Sequence, residues 1–172
     1  MTSLTMNEQI DVFEDVSNPL DSVEEILCAN DWAFDRMSEE ELCVQISGKM
    51  GEYKMFFVWQ EDYSAMQFCC EYDLTIPADV LDRAAKTASA INNGLWLGHF
   101  DIRPKTNVPS FRHTSLFRGM TYSSGADHLE DLVDIALSEC ERYYPAFDLL
   151  SKAKKQSGAA LALAMMDPAG ES

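Results

Sequence analysis

The sequence predicts an α+β fold: an antiparallel sheet with helices packed on one face, in the order α-β-β-β(-β)-α-β-β-α. Three observations carry that prediction. Apolar residues recur at helical spacing in three segments, and alternate with polar residues in the runs between them. Those runs come in groups, not in strict alternation with helices, which separates α+β from α/β. The connections within each group are short, whereas a parallel crossover needs about a dozen residues or more.

The elements follow in order. Asn18-Pro19 opens the first helix, with Asn as cap and Pro where its missing N–H costs nothing. Leu20, Val23, Ile26 and Leu27 form its apolar face, and the helix is expected to end near Ala29-Asn30. Residues 32–36 make the first strand, and Leu42, Val44 and Ile46 alternate through the second. A turn at 48–51 leads into the aromatic-rich run 53–60. A second turn at 61–64 leads into 65–74, where Met66, Phe68, Cys70 and Tyr72 share a face. These four strands read as a meander.

Pro77 opens the second helix, striped by Val80, Leu81, Ala84, Ala88, Ile91 and Leu95, with its last turn weakened by Asn92-Asn93-Gly94. Residues 97–103 and 108–117 form a hairpin, and 118–125 read as a loop rich in Ser and Gly. The long helix is expected from about Ala126, its face formed by Leu129, Leu132, Val133, Ala136, Leu137 and Cys140. Pro145 should kink or break it, because the residue before a proline is pushed away from helical geometry. A further helix then carries Phe147, Leu149 and Leu150. The resulting organisation is an acidic leader at 1–17, an α+β domain at 18–156, and a helical extension with a polar tail at 157–172.

Charge narrows the function. The net charge is −16 over 172 residues, which argues against binding nucleic acid or an anionic membrane surface, since both need clustered Lys and Arg. The acid is uneven: nine Asp and Glu precede the first basic residue, Arg36. No acid lies between Asp101 and Asp127, a stretch holding Arg103, Lys105, Arg112 and Arg118. That stretch is either a solvated surface or a basic face for an acidic partner, such as the chain's own leader. The five cysteines include no CxxC pair, so reduced thiols are expected. With neither a signal peptide nor an apolar run of about 18 residues, a cytoplasmic location is expected.

Several runs resemble the YbjN family of bacterial sensory transduction regulators. They are Asn18-Pro19-Leu20, Ala29-Asn30-Asp31-Trp32-Ala33-Phe34, Asn92 with Leu95-Trp96-Leu97-Gly98-His99-Phe100-Asp101, Phe111-Arg112-His113, and Cys140-Glu141-Arg142-Tyr143-Tyr144-Pro145-Ala146-Phe147. The resemblance covers nearly the whole chain, the acidic leader excepted. It implies a fold similar to type III secretion chaperones, frequently dimeric, with no established catalytic activity.

No residue set argues strongly for chemistry. His99 and Asp101 share one face of a strand and His113 lies on the next, but this set lacks a fourth zinc ligand, so structural roles are expected. A Cys–His nucleophile drawn from Cys69 or Cys70 with either histidine has no flanking signature. No nucleophile elbow and no phosphate-cradling glycine loop are present. Neither a catalytic site nor a cofactor or metal site is therefore assigned. The candidate partner-contact residues are Trp96, Phe100, Arg112, Arg142, Tyr143, Tyr144 and Phe147, whose rings and guanidinium groups serve either as core anchors or as a contact surface. Gly98 would let another backbone or ring approach closely. The expected function is a non-catalytic protein-binding module, chaperone-like or regulatory, acting as a homodimer on a protein partner. The alternative is a small-molecule sensor with an aromatic-lined pocket between the sheet and the long helix.

Overall fold

The computed structural model describes residues 18–153 and residue 165. The leader at 1–17, residues 154–156 and, apart from residue 165, the extension at 157–172 lie outside the described residues. The elements run α1 (Leu20–Ala29), β1 (Phe34–Arg36), β2 (Glu41–Ser47), β3 (Glu52–Gln60), β4 (Ala65–Tyr72), α2 (Leu81–Asn92), β5 (His99–Ile102), β6 (Pro109–Leu116) and α3 (Tyr122–Ser151). Six strands form one antiparallel sheet in the order β1-β2-β3-β4-β6-β5, with β6 between β4 and β5. The α+β architecture is the one the sequence predicts.

Period-two burial explains why these runs became strands. Leu42, Val44 and Ile46 in β2, Tyr53, Met55, Phe57 and Trp59 in β3, and Met66, Phe68, Cys70 and Tyr72 in β4 are all buried. Each large side chain so buried is worth about 1.5–3 kcal/mol, which outweighs any local preference. Two compact units divide the chain. The first comprises residues up to Gln45, Met55–Phe68 and Thr114–Ile135, and the second Ile46–Lys54, Cys69–His113 and the chain from Ala136 onward.

In the first unit, α1 starts at Leu20 behind Pro19, whose φ of −71° is already helical. The Asn18 Oδ1 accepts the Leu20 N–H at 3.0 Å. The other end of α1 corrects the first strand, which begins at Phe34 and not at Trp32. Asp31 adopts φ +57°. The Trp32 N–H is donated to the Leu27 carbonyl at 2.9 Å, and the Asp31 N–H to Cys28 at 3.1 Å, a Schellman closure of the helix. Trp32 therefore serves the helix end. Arg36 then ties β1 to α1 through Glu24 at 2.7 Å and Asp21 at 3.6 Å.

The start of α3 is a second correction. The helix begins at Tyr122, four residues before the expected Ala126, inside the segment read as a loop. Thr121 and Ser124 exchange side-chain-to-backbone bonds at 2.9 and 3.1 Å, a capping box with Ser in the place usually taken by Glu or Gln.

In the second unit, a short 3-10 turn at Ala78–Val80 precedes α2, and Val80, Ala84, Ala88 and Ile91 are buried as the stripe required. Leu95 falls beyond the helix end at Asn92. The third correction concerns the kink or break expected at Pro145: the helix does not break there, and α3 runs through Pro145 to Ser151. A proline inside a helix forfeits one backbone bond and costs about 3 kcal/mol. Ala146, Phe147 and Leu150, all buried just after it, offset that cost only if the chain stays helical.

Candidate functional site

The second unit gathers most of the sequence's candidate residues around Tyr72. Its ring centroid lies 5.4 Å from Tyr53, 6.3 Å from Phe100, 6.1 Å from Tyr144 and 5.1 Å from Phe147. Phe100 adds Phe111 at 5.5 Å, Tyr143 at 5.8 Å and Phe147 at 5.3 Å. Offset and edge contacts of this kind add about 0.5–1.5 kcal/mol each beyond area burial. Phe100 and Phe147 are buried to 2% and 0% exposure, so they anchor the core. The rings expected to line a pocket pack on one another. Tyr143 and Tyr144 are half-buried and reach the surface at one side.

Gly98 is needed where it stands. Its φ is +69°, and a Cβ there would sit 2.2 Å from the Phe111 ring. The close approach read from the sequence is thus made by a ring. Beside it, Asn92 replaces a missing neighbour strand: its Nδ2 donates to the Phe100 carbonyl at 3.0 Å, and its Oδ1 accepts the Phe100 N–H at 2.7 Å. Those outward backbone groups belong to the edge strand β5, which Asn92 closes to further pairing. Trp96, in the loop between α2 and β5, is 79% exposed, with Leu95 and Leu97 half-buried on either side.

Glu141 is the residue that sequence reasoning did not single out. Its carboxylate accepts the Lys49 N–H, the Met50 N–H at 2.8 Å and the Tyr53 hydroxyl at 3.0 Å. It holds the tip of the β2–β3 hairpin, closed by Gly48 N–H to Gly51 O at 2.8 Å. Added Cβ atoms would meet Glu141 2.2 Å from Gly48, and Tyr144 2.3 Å from Gly51. The available signal was glycine at both ends of that turn, together with a Glu just ahead of Tyr143-Tyr144 on α3. Arg142 next door lies 5.5 Å over the Tyr143 ring and 4.0 Å from Glu139.

The histidines do not converge. The register pairs His99 with Arg112 and Phe100 with Phe111, so His113 falls on the face of Phe111, opposite His99 and Asp101. Arg112 occupies the place beside Asp101, at 3.1 Å, where a cation would have to bind. The described residues contain no group of three potential metal ligands. The basic stretch is partly neutralised as well: Arg103 pairs with Glu71 at 3.6 Å, and Arg112 with Asp101. The sequence also did not pair His128 with Ser115, which meet at 2.7 Å in the first unit; Ser115 is 5% exposed, so its hydroxyl is packed inside.

Cys69 and Cys140 sit in the opposite state to activated nucleophiles. Burial, and then the Glu71 charge, pushes Cys69 up to about 11. Burial likewise raises Cys140 well above the ordinary thiol value. The Tyr72 and Tyr53 hydroxyls are raised too, both chiefly by burial; the Glu141 carboxylate adds to the rise at Tyr53. Tyr72 donates to the Cys140 carbonyl at 2.6 Å. All four groups stay protonated at neutral pH.

No helix of the described residues is long and apolar enough to cross a membrane. A search of curated proteins finds no match. Among solved structures, one described as "Crystal structure of YbjN, a putative transcription regulator from E. coli" is similar at 15% identity and a TM-score of 0.49, over 75% of this chain and 95% of that one. The model of the YbjN family, described as "Putative bacterial sensory transduction regulator", matches residues 19–149. With most of its length so matched, and with the residues that carry the resemblance placed as above, the chain belongs to the YbjN family.

Proposed function

We propose that this chain is a non-catalytic regulatory module that works by holding another protein, and that its working form is a homodimer. The observation that carries the reading is Trp96, the largest side-chain type in the sequence, standing 79% exposed between two half-buried leucines. Leaving that much apolar surface in water forfeits about 25 cal/mol per Å², a cost that contact with a partner recovers. Arg142, Tyr143 and Tyr144 form a second contact ridge, and Arg112 a charged rim. Trp, Tyr and Arg are the types that dominate interface energetics. Phe100 and Phe147 act from beneath, as the floor that keeps the ridge rigid. The family's description as regulators fits a role exercised through contact.

The test is crosslinking and recovery of bound protein from cells, comparing the parent with Trp96→Glu and Tyr144→Ala. Trp96→Glu should abolish recovery while leaving the melting temperature unchanged, because the side chain is exposed. Equal recovery by parent and variant, or no recovered protein under several growth conditions, would sink the reading. Sedimentation equilibrium decides the dimer.

A further inference from the structure

Among the described residues the net charge is confined to one unit. The described residues of the first unit hold fourteen Asp and Glu against two Arg, whereas those of the second hold nine of each sign. The first unit also exposes apolar side chains, and strand direction places three of them together. In an antiparallel sheet ordered β1-β2-β3-β4-β6, the β1–β2 connection, the β3–β4 connection and the C-terminal end of β6 all fall at the same end. Backbone bonds link them in a row: Trp59 N–H to Glu40 O at 2.8 Å, and Phe117 N–H to Ser64 O at 2.7 Å.

The β1–β2 connection contributes Met37, 67% exposed, with Glu39 and Glu40, and Glu41 opens β2 beside them. The β3–β4 connection is the 3-10 turn Glu61–Tyr63, so two carboxylates stand beside Tyr63 at 68% exposure. The end of β6 contributes Leu116 at 65%. Two cations lie close in sequence to this row, Arg118 and Arg36; the Arg36 guanidinium is already engaged, by Glu24 at 2.7 Å and by the Ser38 and Glu39 carbonyls at 2.8 and 2.9 Å. Three large apolar side chains among five carboxylates, on backbone pinned by hydrogen bonds, make a surface with both an apolar and an electrostatic complement.

We infer that this end of the first unit docks a cationic, apolar-bearing peptide segment of a partner protein, one in which Lys or Arg alternates with large aliphatic residues. Charge complementarity selects the occupant: five carboxylates reject acidic segments, and the exposed side chains favour a segment with apolar residues over a purely charged one. This reaches beyond the Trp96 surface, lies in the other unit, and stands whether or not Trp96 contacts a protein.

The probe is a fluorescein-labelled peptide of alternating Lys and Leu, read by fluorescence anisotropy on the full chain, with a Lys–Ser peptide of equal length as the charge-only control. The Lys–Leu peptide should bind, and the Lys–Ser peptide should bind at least ~tenfold more weakly. Tyr63→Ala with Leu116→Ala should weaken Lys–Leu binding by ~tenfold or more, as should Glu39→Gln, Glu61→Gln and Asp62→Asn together. Asp127→Asn, Glu130→Gln and Asp131→Asn, which remove equal charge from α3, should change it by less than ~threefold. Trp96→Glu should bind the probe like the parent. The proposal is overturned by absent binding, by equal binding of the two peptides, or by equal loss from the two charge-removing triples. All substituted side chains are exposed, and circular dichroism confirms that each variant folds.

Discussion

Replacing Glu141 with alanine should destabilise the protein by about 3–5 kcal/mol, and the structure says how that sum arises. Tyr53 is 1% exposed and its hydroxyl donates to Glu141, so truncation leaves a largely buried donor without an acceptor, at about 1–3 kcal/mol. The Lys49 and Met50 N–H groups lie in an exposed turn and regain water, so the two together lose only the net value of their bonds, about 2 kcal/mol. Glu141→Gln keeps an acceptor oxygen but turns an amide N–H₂ toward a donor, and should lose about half as much. Urea unfolding reads both variants, with the midpoint falling and the slope unchanged. Hydrogen exchange should show the Lys49 and Met50 amides losing protection before the rest of the second unit. A double-mutant cycle isolates the cause: Tyr53→Phe should be destabilising in the parent but neutral or stabilising beside Glu141→Ala, where it deletes the orphaned hydroxyl. A Glu141→Ala variant within about 0.5 kcal/mol of the parent, or additive effects in the cycle, would refute the clamp.

Asn92→Ala should cost about 2–4 kcal/mol by stranding the outward N–H and C=O of Phe100. It should also introduce concentration-dependent self-association in light scattering, because the β5 edge is opened. Gly98→Ala joins a left-handed φ of +69° to a clash with Phe111, so a loss of about 2–5 kcal/mol is expected in thermal unfolding; an unchanged melting point would contradict the geometry. For Cys69, whose thiol is raised from 9.0 to about 11, the native state prefers the protonated form and the unfolded chain ionises first as pH rises. Its contribution is complete below about pH 9 and is lost toward pH 11, at about 1.4 kcal/mol per unit. Cys69→Ala should therefore flatten the fall in stability over that window; identical slopes for parent and variant would show that the thiol is not the cause.

The strands were legible because burial of one sheet face imposes a period of two, and β2, β3 and β4 keep it without interruption. The stripe of α2 was legible for the matching reason at helical spacing. Where the reading slipped, a local interaction outweighed the pattern. Trp32 has the composition of a strand, yet its N–H is taken by Leu27. The Ser-rich segment before Ala126 has the composition of a loop, yet Thr121 and Ser124 cap a helix. Pro145 carries a breaker's chemistry, but the buried Phe147 beyond it keeps the helix going.

The sequence by itself determined the order of elements, the buried faces of β2, β3, β4 and α2, and the family, because each is written in local spacing or in short runs. It also determined the excess of acid. Which candidate rings became floor and which became surface was decided only by tertiary structure: Phe100 and Phe147 went inside, and Trp96 came out. The Glu141 clamp, the Asn92 edge guard and the Arg112–Asp101 pairing that fills the supposed metal position are likewise tertiary. Each joins residues whose meeting depends on strand register and on how a helix face lies over a turn, and no spacing along one chain encodes those distances.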